Sequence, residues 1–325
     1  MIIEYVLFIL GFVLLVKGAD WLVEGSSALA KRYGVSSLMI GLTIVSFGTS
    51  APELLVNVFA ALKGNSDVAL GNIIGSNLMN LLLGLGIVAV IDHVRAKHSI
   101  TWREIPFALL SVILLLILIN KNNILSIFNI SDGSVNTLSI ADGIIMLLFF
   151  SAFLYYLYYA AKAERNKDQE QIKIFGNLKT VIYIIVGIAG LYFGGDLVVD
   201  GAVFIAKQFG LSEFLISVTI IAIGTSLPEI VTAVTAALKK DTDMSVGTIV
   251  GTNIFNILFV LGITALISPI SAPYFINFDL IILLIATALL FAFMFIGRKH
   301  TLDRWEGIVY IIIYAIYLYI IIKRG

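Results

Sequence analysis

The chain carries two copies of one pattern. Sliding the sequence by 176 residues lays the second half on the first without a gap from Gly11 to Gly86. Gly18, Asp20 and Gly25 meet Gly194, Asp196 and Gly201. Thr43, Gly48-Thr49-Ser50, Pro52 and Glu53 meet Thr219, Gly224-Thr225-Ser226, Pro228 and Glu229. Gly71, Gly75, Asn77 and Asn80 meet Gly247, Gly251, Asn253 and Asn256. Across 41–53 and 71–80, 12 of 23 positions are identical. Most of these matches are Gly, Pro, Thr, Asn and Glu, so shared hydrophobicity does not produce them. A period this long means two structural copies, each of which must fold to a similar shape.

Composition says where those copies fold. Of 325 residues, 60% are hydrophobic and 13% charged, about half the charged share of a soluble globular chain, roughly 25%. Several apolar runs exceed the ~18–20 residues that a helix needs to cross a ~30 Å hydrocarbon core. The expected spans are 2–30, 36–62, 67–91, 104–120, 138–161, 178–206, 212–238, 244–268, 274–297 and 304–322. The fold class is therefore an all-α membrane protein with ten transmembrane helices. Its expected units are a first five-helix repeat over 1–161, a cytoplasmic linker over 162–177, and a second five-helix repeat over 178–325. The markedly charged stretch from Ala163 to Lys173 supplies that linker, and it is too short for a folded domain of its own. Five spans per copy place the second copy upside down in the bilayer, and inverted repeats mark secondary transporters.

Charge sets the orientation. With ten spans, fifteen of the 21 Lys and Arg residues fall on one side of the membrane and five on the other, with Lys17 inside the first helix. Positive residues stay in the cytoplasm, so the chain is a multi-pass cell-membrane protein with both termini extracellular. The apolar run after Met1-Ile2-Ile3-Glu4 lacks a basic leader and a small-residue cleavage pattern. It is expected to remain as the first membrane helix. A net charge of zero argues against a nucleic-acid partner. With no cysteine, thiolate metal sites and thiol nucleophiles are excluded.

The chemistry concentrates where the copies agree. Glu53 and Glu229 fall near the middle of the second and seventh helices. A carboxylate at that depth needs a partner or a water-filled cavity. No Lys or Arg lies at comparable depth except Lys17, nearer the cytoplasmic end of its helix, so a bound cation is the expected partner. Pro52 and Pro228 have no amide hydrogen and free the carbonyls of Gly48 and Gly224. An unpaired carbonyl in a membrane must be met by protein, water or an ion. Carboxylates and carbonyls are the hard oxygen donors that Ca²⁺ and Na⁺ prefer. Asn72, Ser76 and Asn80 share one helical face, as do Thr248, Thr252 and Asn256. Ser76, Asn80, Thr252 and Asn256 are expected as neutral oxygen ligands, whereas Asn77 and Asn253 fit helix–helix hydrogen bonding as well as ligation. Gly71 with Gly75, and Gly247 with Gly251, are spaced for close helix approach. Asp20 with Asp196, and Glu24 with Asp200, recur at the repeat offset near the ends of the first and sixth helices and suit either cation entry or helix-end solvation. The three histidines, His93, His98 and His300, fall in loops. The tyrosines of 155–159 read as an interfacial belt.

The paired segments GTSAPE with GNIIGSN and GTSLPE with GTIVGTN resemble the two α-repeats of the Na⁺/Ca²⁺ exchanger family, over 36–87 and 212–263. The resemblance implies a secondary antiporter, not an enzyme, that exchanges Ca²⁺ for Na⁺ by alternating access. Ca²⁺ and Na⁺ are transported ions, no cofactor is needed, and one chain in the lipid bilayer suffices. By the family pattern Glu53 and Glu229, with the carbonyls of Thr49 and Thr225, ligate Ca²⁺. Ser50, Ser76, Asn80, Ser226, Thr252 and Asn256, with carbonyls near Ser46 and Ala222, complete the Na⁺ sites. The first and sixth helices are implied to slide together. Some relatives carry Asp where this chain has Asn256, which lowers the expectation of K⁺ co-transport. A Ca²⁺/H⁺ exchanger of the same fold and a cation channel are the competing readings.

Overall fold

The computed structural model describes residues 2–62, 67–121, 136–164, 176–208, 222–272 and 275–324. Among them, eight helices are long and apolar enough to cross a membrane, and a ninth span results if one bent pair counts once. In chain order the helices are α1 (Ile2–Tyr33), α2 (Ser37–Thr49), α3 (Ala51–Leu62), α4 (67–91), α5 (Ile100–Ile119) and α6 (Ile140–Glu164). They continue with α7 (Asn177–Gln208), α8 (Ala222–Thr225), α9 (Leu227–Leu238), α10 (Thr242–Ile267), α11 (Ile276–Phe293) and α12 (Arg304–Arg324). The expected span 36–62 is thus two helices, α2 and α3, meeting at 44°. Of the expected span 212–238, residues 212–221 lie outside the described residues. The span placed at 104–120 begins earlier, at Ile100, through one turn of π-helix, and that placed at 274–297 ends at Phe293.

Element boundaries recur at the sequence offset. α3 and α9 begin and end 176 residues apart. So do the π-helical turns Met79–Gly84 in α4 and Phe255–Val260 in α10, and the segments Leu85–Ile91 and Ile267-ending Leu261–Ile267 that follow them. A π-turn leaves one residue extra in the ladder and is common at functional sites.

Glycine decides which helices come closest. α1 and α7 lie antiparallel along Gly11 and Gly18 on one side and Gly187 and Gly194 on the other. A Cβ on Gly18 would stand 2.7 Å from the Leu191 amide nitrogen, and one on Gly194 would stand 2.6 Å from that of Leu15. Backbone meets backbone there, the geometry that small residues permit in a membrane. The expected small-residue contact of Gly247 and Gly251 is present, against Leu38 and Leu42 of α2. Its counterpart at Gly71 and Gly75 meets no close neighbour among the described residues. The larger apolar core gathers α4, α5, α6, α10 and α11, with Leu70, Leu82, Ile249, Leu258 and Leu280 fully buried.

Two short antiparallel pairings tie helix ends together: β1 (Val94–Arg95) with β4 (Thr301–Leu302), and β2 (Asn136–Leu138) with β3 (Ile270–Ala272). His93 and His300 flank the first pairing; His93 Nδ1 lies 3.0 Å from Asp303 Oδ1, and His300 Nδ1 shares a 2.9 Å hydrogen bond with the Thr101 hydroxyl. His98 differs from the loop expected: it opens the turn leading into α5. Tyr155, Tyr158 and Tyr159 are exposed as a belt requires, whereas Tyr156 turns inward and donates to Glu104 at 2.6 Å.

Asp20 and Glu24 of α1 converge on Lys239 at the end of α9, at 3.1 and 3.2 Å. All three side chains are a third or more open to solvent, or nearly so, and exposed pairs contribute ~0–1 kcal/mol. Lys239→Met is therefore expected to lower stability by less than about 1 kcal/mol, measured as a small drop in melting temperature in detergent.

Candidate cation-binding site

The break between α2 and α3 comes from Ser50-Ala51-Pro52. Ser50 closes α2 with φ −78° and ψ 0°, and Pro52 offers no N–H to the turn before it. Across the break, Ser50 N bonds Ser46 O and Leu54 N bonds Ser50 O, both at 3.0 Å. α8 and α9 repeat the arrangement around Ser226 and Pro228, where Ile230 N bonds Ser226 O at 3.2 Å.

Glu53 and Glu229 are both fully buried. The Ser76 hydroxyl bridges the copies: it donates to Glu53 Oε1 at 3.2 Å and shares a short hydrogen bond with the Ser226 hydroxyl. Thr49 and Thr252 hydroxyls stand 3.5 Å apart. Thr49 also donates to the Ser46 carbonyl at 3.3 Å, and the Ser46 hydroxyl donates to Thr248 O at 3.1 Å. Asn80 and Asn256 each occupy the second position of a π-turn and are fully buried. Ser50 is buried beside Glu53 in sequence, Thr225 is half-buried, and Ala222 begins α8.

Neither carboxylate has a basic partner among the described residues. Lys17 is largely exposed and lies 3.9 Å from Asp20 instead. Glu53 Oε2, both carboxylate oxygens of Glu229, Ser50 Oγ, Asn80 Oδ1 and Asn256 Oδ1 are buried without a hydrogen-bond partner among the described residues. Native interiors leave only a few such atoms. The six named here are all oxygens on the segments that recur at the 176-residue offset, and their chemistry suits a hard cation. No three His, Cys, Asp or Glu side chains converge among the described residues, so neutral oxygens must complete any coordination shell around the two acids.

Two residues on the same helical faces as the expected ligands turn elsewhere. Asn72 donates to Asn57 Oδ1 at 3.3 Å, and the Thr248 hydroxyl bonds its own helix at Met244 O. Sequence reasoning passed over Asn57 and Thr232, both fully buried with a partnerless polar atom. Their spacing of four from Glu53 and three from Glu229 puts each on the face of its glutamate, and that spacing was the available signal.

The comparisons agree with this architecture. The family model described as sodium/calcium exchanger protein matches residues 3–159 and 179–323. The putative antiporter CaxA of Alkalimonas amylolytica is 34% identical over 330 residues, covering 99% of both chains. The Ca(2+)/H(+) antiporter ChaA of Bacillus subtilis is 28% identical over 77% of this chain and 74% of its own. The solved structure of the sodium-calcium exchanger NCX_Mj superposes with a TM-score of 0.78 at 30% identity, covering 97% of each chain. This multi-pass membrane protein belongs to the sodium/calcium exchanger family of antiporters.

Proposed function

We propose that the chain exchanges Ca²⁺ for Na⁺ across the cell membrane by alternating access, with both ions using one set of oxygens midway through the bilayer. The observation that carries this is the pair Glu53 and Glu229: both fully buried and without a basic partner among the described residues, with Glu53 linked to the second copy through Ser76 and Ser226. The two carboxylates, with the Thr49 and Thr225 carbonyls, balance and hold one Ca²⁺. Ser50, Ser76, Asn80, Ser226, Thr252 and Asn256, with carbonyls near Ser46 and Ala222, complete the Na⁺ positions. Three Na⁺ per Ca²⁺ would carry one net positive charge per cycle.

The proposed frame is ten membrane helices in two inverted copies, 1–161 and 178–325, joined by 162–177 in the cytoplasm, with both termini outside and one chain sufficient for transport. Support comes from the recurring element boundaries and from a reciprocal pair. Asn77 Nδ2 donates to Asn253 O at 3.1 Å and Asn253 Nδ2 to Asn77 O at 3.2 Å, between residues 176 apart. Such reciprocity is what a two-fold relation between copies produces.

Purified protein in vesicles loaded with Na⁺ is expected to take up ⁴⁵Ca²⁺ when diluted into Na⁺-free medium, and an imposed potential should change the rate. The name of the ChaA relative favours a second reading, in which H⁺ is the counter-ion. Uptake driven by a pH gradient without Na⁺ selects that reading. Flux without any counter-gradient selects a channel.

A further inference from the structure

We propose that Asn77 is a positioning residue for Na⁺ binding: it turns the Asn256 amide so that the Asn256 oxygen faces the ion cavity. The inference rests on the exchange reading above and adds a residue that touches no transported ion.

The geometry is a two-step relay. Asn77 is fully buried, and its Nδ2 donates to the backbone carbonyl of Asn253 at 3.1 Å. That bond fixes which end of the Asn77 amide is which, because only the nitrogen can donate. Asn77 Oδ1 then lies on the other side, where it accepts from Asn256 Nδ2 at 3.1 Å. With its nitrogen taken, Asn256 has its oxygen left over, buried and without a partner among the described residues. A neutral carbonyl oxygen held by its other end is a hard ligand already oriented.

The equivalent relay in the other copy is open. Asn253 donates to the Asn77 carbonyl at 3.2 Å, as symmetry requires. Yet Asn253 Oδ1, Asn80 Nδ2 and Asn80 Oδ1 are all buried without partners among the described residues. Asn80 is therefore not oriented as Asn256 is. The relay also discriminates at position 256. An ionised Asp there would set an oxygen against Asn77 Oδ1, two acceptors face to face, unless Asn77 turned and lost its bond to Asn253, whereas a protonated Asp could donate its O–H in place of the amide. Asn77 thus favours a neutral donor at 256 over a third negative charge.

The consequence falls on Na⁺. Ca²⁺ gains most from Glu53 and Glu229, whereas a monovalent ion depends more on each neutral oxygen. A hydrogen bond of this kind is worth ~0.5–1.5 kcal/mol, or about two- to twelvefold in an equilibrium constant.

The test is a double-mutant cycle in reconstituted vesicles with Asn77→Leu, Asn256→Ala and both, reading Na⁺ and Ca²⁺ half-saturation separately. Asn77→Leu is expected to raise the Na⁺ requirement about two- to twelvefold while moving that for Ca²⁺ less than twofold. In the Asn256→Ala background it should add nothing further. Equal shifts for both ions, or shifts that add in full in the double variant, overturn the proposal. If Asn77→Leu fails to accumulate, Asn77→Ser, too short to reach Asn256, carries the same cycle. Wild-type vesicles without Na⁺-driven uptake would instead overturn the exchange reading itself.

Discussion

Glu53→Gln and Glu229→Gln are each expected to lower Ca²⁺ affinity by about 100-fold or more and to abolish measurable exchange. The change removes one charge and almost no volume. A divalent ion in a dry site then keeps one balancing carboxylate where it had two. Breaking a buried charge pair on one side costs ~3–5 kcal/mol, and 2.8 kcal/mol is about 100-fold. The same substitution should not unfold the protein. Without ions each acid is fully buried and has no basic partner among the described residues, so removing one carboxyl strands no opposite charge. The melting temperature of the ion-free variant is expected to equal or exceed that of the wild type. Ca²⁺ should stabilise the wild type by about 2.7 kcal/mol at 100 times Kd, and neither variant measurably. A variant that lost uptake because it misfolded would show the opposite: a lower ion-free melting temperature.

Gly187→Val is expected to destabilise the chain more than any single surface change. A Cβ at Gly187 would sit 2.6 Å from the Leu22 amide nitrogen and 2.9 Å from the Gly18 carbonyl oxygen. Both are backbone atoms, so no side-chain rotation relieves the overlap and α1 must move away from α7. Overpacking of this kind costs ~1–3 kcal/mol, several times the exposed ion pairs of Lys239. The comparison that isolates the effect is Gly195→Ala on the same helix, where a Cβ meets only Pro228 at 3.8 Å, an ordinary contact. Melting in detergent should show a clear drop for Gly187→Val and little change for Gly195→Ala. Equal melting temperatures would contradict backbone-to-backbone packing of these two helices.

What could be read from the residues alone follows from which interactions are local. The breaks at Ser50 and Ser226 were legible because proline acts on its own turn. Glu53, Ser76, Asn80 and their counterparts were legible because a buried polar residue in an apolar run is costly wherever it packs, and because each occurs twice. The π-turns at Met79 and Phe255 were not: no side-chain pattern separates a π-turn from the helix around it. Gly18 and Gly194 stood out as matched positions, but that they face one another depends on how α1 and α7 lie in space. Asp20 and Glu24 left two roles open in the sequence because their partner, Lys239, lies more than 200 residues away. Asn77 fitted helix–helix hydrogen bonding as well as ligation, and the direction of its amide became visible only with both of its partners in place.

Equilibrium Ca²⁺ binding to the purified, Na⁺-free protein tests the shared site most directly, with Na⁺ added as competitor. One Ca²⁺ per chain is expected, displaced by Na⁺ and lost when either Glu53 or Glu229 becomes Gln. Undiminished binding in both variants, or binding indifferent to Na⁺, would contradict a single cation held between the two glutamates.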